Sequence, residues 1–197
     1  MVTSEKGGWA AEGPMAAYRA LEADGEIHTD PDQLKLVEMF EALYQQLLTY
    51  PERSAKNLPN RRFSLSSFMP WKKAKQPSPH GLYIYGGVGR GKSMLMDLFF
   101  ETAPMKRKLR VHFHEFMQDI HARLKAWRQL TPKERSAAGG RVSDDDPIPP
   151  IARQIAHEAT LLCFDELQVS DIADAMVLGR LFKQLLDMGV VLVTTSN

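Results

Sequence analysis

Eight consecutive residues, 86–93, have the types and spacing that suit a phosphate-binding loop. They read Gly-Gly-Val-Gly-Arg-Gly-Lys-Ser and match G-x-x-x-x-G-K-[ST] at every fixed position. The glycines let backbone N–H groups turn toward phosphate oxygens without a clash from Cβ. Lys92 is predicted to reach the β- and γ-phosphates of a nucleotide, and the Ser93 hydroxyl to coordinate Mg²⁺. The predicted nucleotide-binding residues are Gly86, Gly87, Val88, Gly89, Arg90, Gly91, Lys92, Ser93 and Met94.

Two adjacent acids follow a wholly apolar segment farther along the chain. Residues 161–164 are Leu-Leu-Cys-Phe, and Asp165 and Glu166 come next. A buried parallel strand would deliver both acids at its carboxyl end, where ligands bind in such sheets. We predict that Asp165 holds Mg²⁺, through its water shell, and that Glu166 orients and polarises the attacking water.

A second apolar segment, residues 190–193, ends in Thr-Thr-Ser-Asn. Asn197 could hydrogen-bond the attacking water or the γ-phosphate, the role known as sensor 1. An ordinary strand end with a turn residue explains the same four residues equally well. On the first interpretation, the catalytic residues are Lys92, Glu166 and Asn197.

The elements that must position these residues alternate between strands and helices. Strands are predicted at 82–85, 109–113, 161–164 and 190–195, and helices at 92–101, 115–130, 151–159 and 171–188, with 131–150 mostly loop. This alternation predicts an α/β fold with a parallel sheet flanked by helices and right-handed crossovers. The motif order is that of additional-strand P-loop ATPases, which include the AAA+ group. No Asn-Lys-x-Asp base-reading motif of a GTPase is present.

The first 80 residues differ in character from the rest. Two helices are predicted, at 14–23 and from Pro31 to about residue 50, the second with Asp30 as N-cap and Gln33 completing a capping box. Asp32 and Gln33 could instead read the edge of an adenine. Prolines and basic residues then fill 51–80. We predict a helical segment with a basic, proline-rich connector over 1–80, and a P-loop core over 81–197.

Composition excludes several classes of protein. Of 197 residues, 44% are hydrophobic, and 25 Lys and Arg oppose 24 Asp and Glu, so the net charge of +1 argues against a nucleic-acid partner. Cys163 is the one cysteine, which excludes an intramolecular disulfide, and we predict it to be a small buried side chain. Neither a signal peptide nor an apolar stretch of about 20 residues is present, so a cytoplasmic location is expected.

Two other groups of residues receive structural interpretations. The alternation of His112 and His114 predicts that both lie on one face of a strand, hydrogen-bonded near the nucleotide, in preference to a metal site. Lys106, Arg107, Lys108 and Arg110 form a basic cluster. We interpret that cluster as a solvated face, in preference to a contact for acidic protein tails, lipid or nucleic acid.

Three segments together resemble the ZapE family, which is similar to the mitochondrial AFG-one-like (LACE-type) proteins. They are residues 81–99, which contain the phosphate loop, residues 110–117 (Arg-Val-His-Phe-His-Glu-Phe-Met), and residues 161–176, which contain the two acids. The resemblance runs from about residue 15 to the end. It implies an AAA+ ATPase that uses Mg²⁺ and ATP to remodel a protein partner, the division-ring protein FtsZ, during late division under stress. It also implies homo-oligomers and contact with the cytoplasmic face of the inner membrane at the division site.

Chains of that family continue beyond the sensor-1 strand, with a further core strand, an arginine finger, sensor 2 and a helical lid. We therefore expect this chain to be cut short and to bind nucleotide more readily than it turns nucleotide over. Two alternatives stay open. One is a helicase-loader-like ATPase that acts on nucleic acid; the other is a scaffold that binds ATP to change shape and hydrolyses little.

Overall fold

The structure is a computed structural model of the 197-residue chain, and it describes residues 12–51, 79, 81–137 and 146–197. The predicted basic connector over 51–80 lies almost entirely outside these residues, as does part of the predicted loop over 131–150.

The described residues form a four-stranded parallel sheet with helices on both faces. The strands are β1 (Leu82–Tyr85), β2 (Lys108–His112), β3 (Leu161–Asp165) and β4 (Val191–Ser196). The helices are α1 (Pro14–Ala23), α2 (Pro31–Thr49), α3 (Lys92–Thr102), α4 (Phe113–Gln129), α5 (Pro132–Ala137), α6 (Ile148–Glu158) and α7 (Ile172–Asp187). Every strand pairing is parallel, and the order across the sheet is β1-β4-β3-β2. The predicted α/β architecture with its parallel sheet is therefore confirmed.

The two central strands are buried on both faces, as their continuous apolar sequences predict. Successive side chains of β3 serve opposite layers, because side-chain direction alternates along a strand. Cys163 faces a core formed with α1, α2 and α3, where Phe40 stacks on Phe99 with ring centroids 4.7 Å apart. Phe164 faces a second core formed with α4, α6 and α7, and its ring lies 4.6 Å from that of Phe116. Helices α1 and α2 thus share a core with the sheet.

Two predicted boundaries are wrong, and one short helix was not predicted. Strand β2 ends at His112, and α4 begins at Phe113, so His112 and His114 do not share a strand face. Helix α6 begins at Ile148, because Pro149 and Pro150 fit its first turn, where backbone N–H groups need no partner within the helix. The short helix α5 lies within the predicted loop. None of the described helices has both the length and the apolar character needed to cross a membrane.

Candidate nucleotide-binding site

The predicted phosphate loop connects β1 to the first residue of α3. Gly89 and Gly91 have φ angles of +77° and +78°, in the left-handed region that favours glycine. Gly91 also has a packing constraint, because a Cβ atom there would lie 2.8 Å from the Gln33 amide nitrogen of α2. The space beside Gly86 and Gly87 is open. The loop therefore has the backbone freedom and the clear approach that a phosphate group requires.

Lys92 lies across this loop. Its ammonium nitrogen donates hydrogen bonds to the carbonyl oxygens of Gly86, at 2.7 Å, and Gly87, at 2.8 Å. These bonds keep the positive charge at the mouth of the loop, close to where phosphate oxygens would enter. Ser93 follows directly in the first turn of α3, whose free N–H groups and positive dipole end favour an anion.

Asp165 stands at the end of β3 and is held by an arginine that the sequence interpretation assigned to a solvated face. Arg110 of β2 donates from Nε to Asp165 Oδ2 at 2.6 Å and from a terminal nitrogen to Oδ1 at 3.2 Å. The same guanidinium also contacts the Asp97 carboxylate and donates to the Ser93 carbonyl at 3.2 Å. A single cation therefore joins the phosphate-loop helix to the predicted magnesium carboxylate.

Burial and charge act in opposite directions on Arg110. The side chain is 17% exposed, and burial alone lowers its pKa. The hydrogen bonds and negative charges of Asp165 and Asp97 outweigh burial, so the net pKa is raised. Arg110 is thus a permanent positive charge, and its strongest contacts are with a carboxylate that is itself only 8% exposed.

Glu166 is held by its backbone. Its φ angle of +58° makes it the non-glycine residue with positive φ among those that the structure describes. The hydroxyl of buried Thr195, on β4, accepts a hydrogen bond from the Glu166 N–H at 3.2 Å. The Leu167 N–H donates to the Thr195 carbonyl at 2.6 Å. Thr195 therefore fixes the turn that carries Glu166, and it links this turn to the strand that ends before Asn197.

Glu166 faces a polar cavity of about 550 Å³ beside the sheet edge. Its lining includes Asp165, Glu166, His112, His114 and Asp171. His114 shares a 2.9 Å hydrogen bond with Gln118, as predicted for that histidine. Within the described ranges, no three His, Cys, Asp or Glu side chains are arranged to hold a metal ion. The cavity has room for water beside Glu166.

Gln33 does not complete the predicted capping box. Asp30 caps α2 by accepting from the Asp32 N–H at 2.8 Å, but the Gln33 amide group donates to the Arg90 carbonyl at 3.4 Å. The Gln33 amide oxygen is buried and has no hydrogen-bond partner. Cavities of about 450 and 480 Å³ border Gln33, and the smaller one includes Asp32 and Lys92 in its lining. An unpaired acceptor therefore lies next to the phosphate loop.

The other predicted residues have clear positions. Met96 lies in the core, and Met94 is partly buried against it. Cys163 is fully buried, and burial raises the pKa of its thiol to about 12. Asn197 directly follows β4. In the sheet, β4 lies between β1, which leads to the phosphate loop, and β3, which ends at Asp165. Its predicted contact with water or phosphate stays a prediction.

Three of the four residues of the basic cluster donate hydrogen bonds to oxygen atoms of the protein. The interpretation of the cluster as a solvated face is therefore wrong for these three. Lys108 donates to the Phe100, Glu101 and Ala103 carbonyls at the end of α3, at 2.5 to 3.1 Å. Arg107 donates to the Ala156 and His157 carbonyls at the end of α6, at 3.2 and 2.8 Å. Cations are favoured at helix C-termini. Arg110 pairs with acids, as described above.

Two residues of the site escaped prediction, Arg110 and Thr195. A usable signal existed for Arg110: it is a charge in the middle of a short strand, and a buried charge requires a partner. The register of the two strands then selects the partner. Arg110 lies beside Cys163 in β3, and Asp165 is two residues farther along β3, so that its side chain lies on the same face of the sheet as that of Arg110. Thr195 carried no such signal, since its role depends on the backbone of the turn at Glu166.

Comparisons with known proteins agree with this geometry. The sequence model of the AFG1-like ATPase family matches residues 13–197. The chain is 39% identical over 189 residues to the cell division protein ZapE of Escherichia coli K12, covering 93% of this chain and 45% of that protein. It is 52% identical over 124 residues to lactation elevated protein 1 homolog B of Danio rerio, covering 63% of this chain and 24% of that protein.

The fold is also similar to that of a solved structure, AMPPCP-bound DnaA from Aquifex aeolicus. The TM-score is 0.51 at 14% identity, over 87% of this chain and 40% of that chain. The chain spans less than half the length of the curated relatives it matches. Its phosphate loop, its parallel sheet and these matches lead to one assignment. The chain has a P-loop fold of the AAA+ type and belongs to the AFG1-like ATPase family.

Proposed function

We propose that this chain binds ATP together with Mg²⁺ and that the whole protein hydrolyses ATP to do conformational work on a protein partner. One observation supports this most. The loop after β1, the acids at the end of β3 and Asn197 after β4 all lie at the carboxyl edge of one parallel sheet. Ligands bind at that edge in open α/β folds.

The side chains at this edge divide the work. Lys92 would exchange its two carbonyl contacts for phosphate oxygens. Ser93 and Asp165 offer a hydroxyl and a carboxylate, the hard oxygen donors that suit Mg²⁺, and the cation already bound to Asp165 is the Arg110 guanidinium. Bound Mg²⁺ would neutralise charge on the β- and γ-phosphates. Glu166 would orient and polarise water, assisted by Asn197.

Gln33 is the proposed reader of the base. Its unpaired amide oxygen can accept a hydrogen bond from the exocyclic amino group of adenine, whereas guanine presents an oxygen at that position. Apolar side chains beside it, including Ile27 and Met94, would contact the ring faces. Asp32 lies on the same turn of α2. Such a site would favour ATP over GTP.

The partner is proposed from relatives. The Escherichia coli relative is named a cell division protein, and the ZapE resemblance points to FtsZ at the cytoplasmic face of the inner membrane. A homo-oligomer would allow a neighbouring subunit to contribute an arginine to the site. Nucleic acid is a weaker candidate, because Arg107, Lys108 and Arg110 already contact carbonyl and carboxylate oxygens.

The decisive measurement is ATP binding by this chain with Mg²⁺, compared with a Lys92→Ala variant. We expect the variant to bind at least about 10-fold more weakly, because a charge-assisted hydrogen bond contributes about 1.5–3 kcal/mol. Equal binding by both proteins would contradict the proposed site. Turnover is measured in the same samples and should also depend on Lys92.

A further inference from the structure

We propose that Arg110 is a built-in counter-cation of Asp165, and that it sets the Mg²⁺ concentration at which the nucleotide site fills. The proposal rests on the Mg²⁺–nucleotide site proposed above. It assigns a positioning role to a residue outside the phosphate loop and outside the acid pair.

The first support is the position of the guanidinium. Arg110 makes a two-pronged contact with both Asp165 oxygens, at 2.6 and 3.2 Å. Its remaining terminal nitrogen contacts the Asp97 carboxylate, one helical turn beyond Ser93. It also donates to the Ser93 carbonyl at 3.2 Å. Arg110 therefore lies between the two residues predicted to hold Mg²⁺ and contacts both.

The second support is electrostatic. An arginine remains charged at every accessible pH, so it cannot leave Asp165 by losing a proton. A divalent cation entering beside it meets a carboxylate that is already neutralised and a like charge close by. Both effects weaken cation binding, and they act strongly here because Asp165 is largely shielded from water.

The third support is Asp97, which offers the guanidinium a second carboxylate. The Asp97 side chain, on α3, is 60% exposed, and it contacts a different terminal nitrogen of Arg110 from the one that donates to Asp165. When Mg²⁺ approaches Asp165, Arg110 can shift its pairing toward Asp97 without becoming a free buried charge. Magnesium binding would thus change the contact between β2 and α3, the helix that begins at the phosphate loop.

The main experiment is a Mg²⁺ titration of a fluorescent ADP analogue bound to the full chain. In Arg110→Gln, we expect the half-saturating Mg²⁺ concentration to fall about tenfold, the lower end of the effect a neighbouring charge has on proton binding by a carboxylate. Arg110→Lys keeps the cation and should stay near the unmodified chain. An unchanged or higher Mg²⁺ requirement in Arg110→Gln would overturn the proposal.

A matched control comes from the same chain. Arg123 also forms a fork, with both Glu158 oxygens at 2.9 Å, and it pairs with Asp119 on α4. Its side chain is 22% exposed, close to the value for Arg110. Arg123→Gln should leave the Mg²⁺ requirement unchanged. A fall equal to that of Arg110→Gln would mean that loss of any buried arginine pair produces the effect, which would contradict the proposal.

A second variant avoids the core and so guards against a folding failure of Arg110→Gln. Asp97→Asn removes the alternative partner of Arg110, and we expect the half-saturating Mg²⁺ concentration to rise severalfold. Glu101→Gln removes a negative charge one turn later on the same helix and controls for the general loss of charge. Equal effects of these two variants would count against the proposal.

Thermal melting with MgCl₂ alone separates this inference from the proposed function. Without nucleotide, millimolar Mg²⁺ at matched ionic strength should raise the melting temperature of Arg110→Gln more than that of the unmodified chain. If this difference appears while no nucleotide binds, the proposed function fails and the role of Arg110 stands. The opposite outcome is that nucleotide binds through Lys92 while Arg110→Gln and the unmodified chain respond to Mg²⁺ alike, both in the nucleotide titration and in thermal melting. In that case the role of Arg110 is contradicted and the proposed function stands.

Discussion

Asp165 and Glu166 are neighbours in the chain, yet the structure holds them in opposite ways. Asp165 ends a fully buried strand, and its carboxylate is fixed by the Arg110 fork. Glu166 is exposed, and its position is set by a backbone φ angle of +58° and by Thr195. One acid is therefore restrained through charge, and the other through backbone geometry.

This difference indicates how a pair of acids can serve two tasks at one sheet edge. A carboxylate that holds a metal ion benefits from a fixed direction, and the Arg110 fork gives Asp165 that direction. A carboxylate that activates water needs access to solvent, and the cavity beside Glu166 provides it. Strained backbone commonly occurs where function requires a side chain to point in an otherwise unfavourable direction.

The largest expected effect is on turnover, through Glu166. In the ATP-hydrolysing protein, Glu166→Gln should lower the turnover rate at least about 100-fold, the lower end of what a general base contributes. Nucleotide affinity should change little, because the Glu166 side chain lies outside the phosphate loop. Steady-state phosphate release and analogue binding test both parts.

Lys92→Ala is the comparison for that experiment, because it should lose binding as well as turnover. Phosphate release by Glu166→Gln at an unchanged rate would contradict the assigned role. If Glu166→Gln loses turnover and partner remodelling nevertheless persists unchanged, the scaffold alternative, in which ATP binding alone changes the shape, would be favoured.

The next effect concerns stability and the two acids that contact Arg110. Asp165→Asn should lower the free energy of unfolding by about 2–3 kcal/mol, because it leaves a mostly buried guanidinium poorly paired. Asp97→Asn should cost about 0.5 kcal/mol or less, since the Asp97 side chain is largely exposed. Urea unfolding of both variants measures the difference. Equal losses would mean that Arg110 is held by both acids alike.

A smaller effect should isolate the backbone strain at Glu166. Glycine adopts positive φ freely, whereas other residues pay about 1–2 kcal/mol there. The free energy of unfolding of Glu166→Gly should therefore exceed that of Glu166→Ala by about 1–2 kcal/mol. Both variants lack the Glu166 carboxylate, so the difference between them does not include the effect of its charge. Equal stability would show that the turn relaxes to an unstrained conformation when the side chain is removed.

The sequence predicted the parallel sheet and the residues of the phosphate loop because both depend on local signals. The short apolar segment before Asp165 is typical of a strand covered on both faces, and the glycines around Lys92 have a fixed spacing. The partner of Asp165 could not be read in the same way, because Arg110 lies 55 positions earlier. Its contact depends on the register between β2 and β3.

Other errors arose where one residue type suits two environments. Gln33 fits a capping box by spacing, but packing of α2 against Gly91 turns its amide toward the phosphate loop. Lys108 would suit a solvated surface, but the end of α3 lies within reach of its ammonium group. In both cases tertiary contacts between distant segments decide the outcome, and these leave no local pattern.

The contrast between the two acids also requires that water does not reach β3 before Asp165. The ionisation of the Cys163 thiol, two residues earlier in the same strand, tests this. Burial raises the pKa of its thiol to about 12, whereas an unfolded thiol titrates near its ordinary value of about 8.5. Above that ordinary value the unfolded chain binds fewer protons than the folded one, so stability falls as pH rises. We expect the free energy of unfolding, measured with urea, to fall between about pH 8 and about pH 9.5. The fall should be about 1 kcal/mol larger for the unmodified chain than for Cys163→Ala. The same loss in both proteins would mean that the thiol ionises in the folded state, and that water reaches the strand two residues before Asp165.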